Sequence, residues 1–75
     1  MDLATVLRGL HASEIGCGMQ MSCESGIEVW VGDSLSGCRV NRSFGIGEME
    51  DAAAWLDERA RALYPESDYA KARRV

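Results

Sequence analysis

Apolar positions recur at two different periods along this chain, and each change of period marks a boundary between elements. Leu3, Val6, Leu7 and Leu10 stand at i, i+3, i+4 and i+7. That is one stripe of a short helix over about residues 2–12. Asp2 is placed to cap it or to complement its positive end, and Gly9 weakens its last turn. From Ile15 the period falls to two: Ile15, Cys17, Met19, Met21 and Cys23 alternate with Gly16, Gly18, Gln20 and Ser22. This reads as a half-buried strand.

"ESG" reads as a hairpin turn, after which Ile27, Val29 and Val31 alternate with Glu28 and Trp30 as a second strand. A three-residue loop pairs Cys23 with Ile27, Met21 with Val29 and Met19 with Val31, so that every apolar set falls on one face. The same register sets Gln20 beside Trp30 and points Met21 inward. "DSLSG" is a second turn. The third strand puts Cys38, Val40 and Phe44 on one face, and Arg39, Asn41 and Ser43 on the other. Arg42 falls on the apolar parity, which predicts either a snorkelling side chain or a bulge that shifts the register.

A longer helix follows over about residues 47–64, with Met49, Ala52, Ala53, Leu56, Ala60 and Leu63 as its buried stripe and Trp55 on the flank. Glu48, Glu50 and Asp51 sit in its first turn, and Arg59 and Arg61 come late, as the helix dipole favours. Asp57 and Arg61 form an i,i+4 pair. Pro65 stops the helix. The predicted fold is α+β with the order α-β-β-β-α: a three-stranded antiparallel meander with both helices on one face. Residues 1–65 form a single domain, and residues 66–75 a polar C-terminal tail.

Composition changes this picture in two ways. The chain has 75 residues, and one this short buries only about 60% of its unfolded surface, so stability is marginal without good packing or self-association. The net charge is −4, and it is unevenly placed. Residues 1–36 hold Asp2, Glu14, Glu24, Glu28 and Asp33 against Arg8 alone, five acids minus one base, while the remainder balances. A global basic field for nucleic acid or anionic lipid is absent. The start "MDLATVLRGLHASE" lacks the basic opening of a secretory leader. The expected compartment is the cytoplasm, where Cys17, Cys23 and Cys38 stay reduced.

The element order, together with the loop "SFGIG" before the Ala-rich "EMEDAAAWLDERA", resembles a double-stranded RNA-binding domain. That resemblance implies phosphate contacts from a lysine cluster at the start of the second helix. This chain has Glu48, Glu50 and Asp51 there instead. It also implies a minor-groove contact from the loop between the first two strands, which here is only "CESGI". Gly45 and Gly47 raise the question of a phosphate cradle, because free N–H groups at a helix start hold anions. Three carboxylates within one turn repel an anion, so the two glycines read as turn residues.

A metal site from His11, Cys17, Cys23 and Cys38 fails on spacing, because a strand separates Cys17 from Cys23 by about 20 Å at 3.3 Å per residue. No cofactor is expected. A Cys–His nucleophile pair would need Cys17 or Cys23 to face a cleft beside His11, whereas parity puts both cysteines under the helices. Trp30 is the most informative residue: it sits in the central strand on the polar parity. Gln20, Arg39 and Asn41 are its expected neighbours. Arg39 stacks over Trp30 and shields the sheet, or Trp30 anchors a partner, or a base or other planar ligand stacks on it.

The sequence therefore predicts a non-catalytic protein-interaction or accessory module. The alternative is a divergent nucleic-acid binder, and a small enzyme comes third. The expected partner is an unknown protein or a second copy, the latter in a two-fold dimer through the uncharged edge of the first strand or through the Trp30 face. In a monomer, Tyr69 of the tail would cover that edge.

Overall fold

In the computed structural model, residues 2–22, 26–32 and 39–73 are described. The two expected turns, Cys23, Cys38 and Arg74 lie outside the described residues. Helix α1 (Leu3–Ala12) begins where the Asp2 carboxylate accepts hydrogen bonds from the Thr5 N–H (3.2 Å) and hydroxyl (3.0 Å). This satisfies a helix donor that has no carbonyl of its own.

The same helix ends in a pair of reverse bonds: Ile15 N–H donates to the Leu10 carbonyl (2.9 Å) and Glu14 N–H to the His11 carbonyl (3.0 Å). That is the Schellman pattern, completed by Leu10 and Ile15 meeting in the core. It requires a left-handed residue at position 14, and Glu14 adopts φ 60. Glycine fits that conformation without the steric penalty of a β-carbon. Glu14→Gly is accordingly expected to raise stability by about 0.5–1 kcal/mol, read as a shift of the urea midpoint at unchanged slope; a lower midpoint would overturn this account of the turn.

Strands β1 (Cys17–Ser22), β2 (Gly26–Val31) and β3 (Val40–Gly45) form one antiparallel sheet in the order β1-β2-β3. A short 3-10 turn (Ile46–Glu48) leads into α2 (Met49–Leu63), and α3 (Asp68–Arg73) follows. Both α1 and α2 lie on the face of the sheet that carries Ile27, Val29 and Val31. The core joins these three to Leu3, Val6 and Leu10 of α1, to Ile15, and to Ala52, Ala53, Leu56 and Ala60 of α2. Three alanines in the α2 stripe let that helix approach the sheet closely. The larger side chains of β2 and α1 supply most of the buried area, about 1.5–3 kcal/mol for each fully buried Leu, Ile or Val.

The structure corrects some of these expectations and decides between others. The β1–β2 register is displaced by two residues: Met21 pairs with Ile27, Met19 with Val29 and Cys17 with Val31. A shift of two keeps every side chain on its expected face, because side chains alternate with period two. Met21, although on the helix side, is 58% exposed, and Met49 is 38% exposed, because β1 is an outer strand and α2 has only just begun at Met49. Arg42 pairs with Val29 in continuous register, so there is no bulge. Its guanidinium lies 5.2 Å from the Phe44 ring, in a recess also lined by Glu48, Asp51 and Glu58, where apolar stem and charged head both find suitable neighbours. Finally, Tyr69 does not cover the β1 edge. It docks on the helix layer: its ring packs against Gly9, and its hydroxyl donates to Asp57 Oδ1 (2.5 Å). Asp57 is 3% exposed and makes the expected i,i+4 pair with Arg61, whose Nε lies at 3.1 Å.

Candidate functional site

The face of the sheet opposite the helices carries Gly18, Gln20, Glu28, Trp30, Asn41 and Ser43, as the alternation of β2 dictates: Ile27, Val29 and Val31 are buried, and Glu28 and Trp30 are half-buried. Trp30 dominates this face. Asn41 stands directly across from it on β3, and Gly18 directly across on β1. The indole lies over Gly18, where a β-carbon would come within 3.0 Å of three ring atoms. The missing side chain of Gly18 is therefore the space the indole occupies. Arg39, just before β3, brings its guanidinium to 4.9 Å from the Trp30 ring centroid, within cation–π range.

Of the residues expected around Trp30, the structure brings Arg39 and Asn41 to it and leaves Gln20 apart. Gln20 pairs with Glu28, a direct consequence of the two-residue displacement. Asn41 does not reach toward the indole either; its Nδ2 donates to Glu28 Oε2 (3.2 Å). Gly18, which with Gly16 and Gly32 is expected to leave the surface around Trp30 shallow, proves to be its direct cross-strand partner, a pairing the predicted register did not give. The signal was available as a glycine inside a strand, which marks close approach of another group.

Trp30 and Arg39 also form one wall of a cleft of about 800 Å³ at the end of the sheet where α1 and α2 finish. Glu14, Tyr64, Pro65 and Glu66 line its other side. The cleft thus offers an aromatic wall, a guanidinium and two carboxylates. Gly16 and Gly32 lie at its base and continue the ladder beyond the strand ends, with Gly32 N–H donating to the Gly16 carbonyl (2.8 Å). Gly32 is buried with φ 116, a backbone conformation that favours glycine.

The loop at Gly45 and Gly47 is a turn whose donor is already taken. Glu48 Oε1 accepts from the Gly45 N–H at 2.8 Å, so that donor is held by a carboxylate of the chain itself, which adds negative charge at the helix start. Glu50 and Asp51, both exposed, follow in the first turn of α2.

Cys17 lies at the flank of α1 rather than wholly beneath it. Its thiol points to the Leu7 carbonyl (3.7 Å), and burial pushes its pKa above the ordinary thiol value. His11 lines the same shallow groove. Cysteine nucleophiles are activated by a lowered pKa, through a cation or a helix N-terminus; the surroundings of this thiol act in the opposite direction.

No known protein family, curated protein or solved structure matches this chain. Among the described residues, no helix is long and apolar enough to cross a membrane.

Proposed function

We propose that this protein is a non-catalytic interaction module of the cytoplasm, and that a polypeptide segment of a partner protein docks on Trp30 and along the adjoining cleft. The observation that carries this reading is the placement of Trp30: a half-buried tryptophan on the helix-free face, packed over Gly18 with the Arg39 guanidinium over its ring. Both neighbours restrict the indole before any partner arrives, and a rigid aromatic in a recess is the side chain that concentrates binding energy at protein interfaces. The cleft's charges favour a polypeptide, which brings donors, acceptors and both signs of charge. Glu14 and Glu66 repel a polyanion there, and Glu48, Glu50 and Asp51 repel one at the start of α2. The α-β-β-β-α order is that of the double-stranded RNA-binding scaffold, and we propose that this chain uses such a scaffold without its RNA contacts.

Affinity selection from a lysate with immobilised protein, followed by titration of each recovered protein in purified form, tests the reading. The Trp30→Ala and Arg39→Ala variants serve as controls after circular dichroism shows them folded. The expected result is a protein that binds wild type directly, loses at least about tenfold in affinity on Trp30→Ala, as for a residue worth more than about 1.4 kcal/mol, and is insensitive to moderate salt. Direct binding of duplex RNA whose affinity falls steeply with salt would overturn it, as would a partner indifferent to Trp30→Ala.

A further inference from the structure

The outer edge of β1 combines a free strand, an exposed side chain and a groove in a spacing that matches itself. The strand "CGMQMS" has no charged residue, and among the described residues β2 is its sole neighbour in the sheet. Gly32 N–H bonds to the Gly16 carbonyl, and hydrogen-bonded pairs alternate along an antiparallel ladder. The even-numbered residues of β1 therefore bond to β2, and Cys17, Met19 and Met21 turn their N–H and C=O groups to the open edge. The opposite edge of the sheet is guarded: the same alternation turns the Gly45 N–H outward on β3, where Glu48 caps it, and Arg42 charges that strand.

Met21 projects from the β1 edge on the helix side and is the most exposed large apolar side chain among the described residues, at 58%. Four residues back along the same edge, a groove of about 350 Å³ runs between α1 and the strand, lined by Leu7, Arg8, His11, Ala12, Cys17 and Gly18. A two-fold axis through Met19 of two antiparallel β1 strands pairs Cys17 with the second copy's Met21, and each Met19 with its own counterpart. The pairs formed are those whose N–H and C=O groups face outward, so the backbone ladder closes without a slip. Each exposed Met21 then enters the other copy's groove beside Cys17 and Leu7, and an unbranched methionine adapts to such a space. The seam brings no like charges together within the strands.

We infer that this chain self-associates as a two-fold dimer by β1–β1 pairing about Met19, giving a continuous six-stranded sheet with Met21 of each copy seated in the groove of the other. A second copy is the occupant this surface fits, because knob and hole lie on one edge at a spacing that a two-fold axis exchanges. The seam runs along the open edge of β1, whereas Trp30 stands on the face of β2; Gly18 borders both.

Sedimentation equilibrium over about 10–500 µM, the range in which a small interface assembles, reads the mass, and amide hydrogen exchange on the intact chain reads the register. The expected results are a mass rising from 8.2 kDa toward twice that value, with the Met19 and Met21 amides slowing as concentration rises and the Asn41 and Ser43 amides unchanged. Met21→Lys, at an exposed position, should shift the midpoint upward at least about tenfold, whereas Trp30→Ala should leave it unchanged. A mass that stays at 8.2 kDa throughout overturns the proposal, as does a dimer whose Met19 and Met21 amides exchange as fast as in dilute protein. If Met21→Lys fails to fold, the wild-type exchange pattern still decides.

Discussion

Tyr69→Ala is expected to destabilise the domain by about 2–3 kcal/mol, at or below the low end for a fully buried aromatic because Tyr69 is half-buried. α3 is six residues long, far below the length at which a helix holds its own shape in water, so its order depends on what it docks against. Two contacts of Tyr69 do that work from opposite ends of its side chain. The ring lies on Gly9 of α1, where a β-carbon would come within 3.0 Å of Cε1. The hydroxyl donates to Asp57 of α2, whose other oxygen faces Arg61. Ala70, 4% exposed, packs beside it. Losing the ring opens a void between α1 and α2 and removes a donor from a buried carboxylate. For a domain of this size the loss translates into a melting temperature lower by about 10–25 °C. Tyr69→Phe keeps the ring and removes the donor, and should cost about 1–3 kcal/mol. Chemical denaturation followed by circular dichroism measures both. A loss below about 1 kcal/mol for Tyr69→Ala would mean that α3 contributes nothing to the fold.

Gly18→Val is expected to lift Trp30 off the sheet, at a cost of about 1–3 kcal/mol for overfilling a packed site. A β-carbon at position 18 would lie within 3.0 Å of indole atoms Cζ2, Cε2 and Cη2. Making room for it requires the indole to move off Gly18 and to disturb the Arg39 contact on its ring. In a Trp55→Phe background, which leaves Trp30 as the single indole, emission should shift to longer wavelength and partner binding should fall together with it. A double-mutant cycle separates this from a general strand defect. Valine favours strands over glycine, so once Trp30→Ala has removed the ring, Gly18→Val should be neutral or stabilising. The coupling between the two positions should be about 1–3 kcal/mol. A Gly18→Val penalty that persists without the indole would show that Trp30 does not rest on Gly18.

The distinction between what was legible in the chain and what was not follows the range of the interactions involved. The stripe of α1, the alternation of β1 and β2, the capping role of Asp2 and the placement of Trp30 on the helix-free face all depend on residues close in sequence. Helical and extended periodicities report them directly. The α+β order and the placement of both helices on one face followed, since each helix has one apolar stripe and the sheet one apolar face. The β1–β2 register did not follow. Parity is blind to a shift of two, and that shift separated Gln20 from Trp30 and put Gly18 beneath it.

The burial of Asp57, the docking of α3 and the role of Gly9 were equally invisible, because each is a close approach between segments far apart in sequence. A glycine in a helix and a tyrosine in a polar tail carry no mark of the other until the fold brings them together. Local periodicity determined which face each residue takes. Tertiary packing alone decided which residues on those faces touch, because contact depends on the relative displacement of whole elements, and short-range pattern does not encode it.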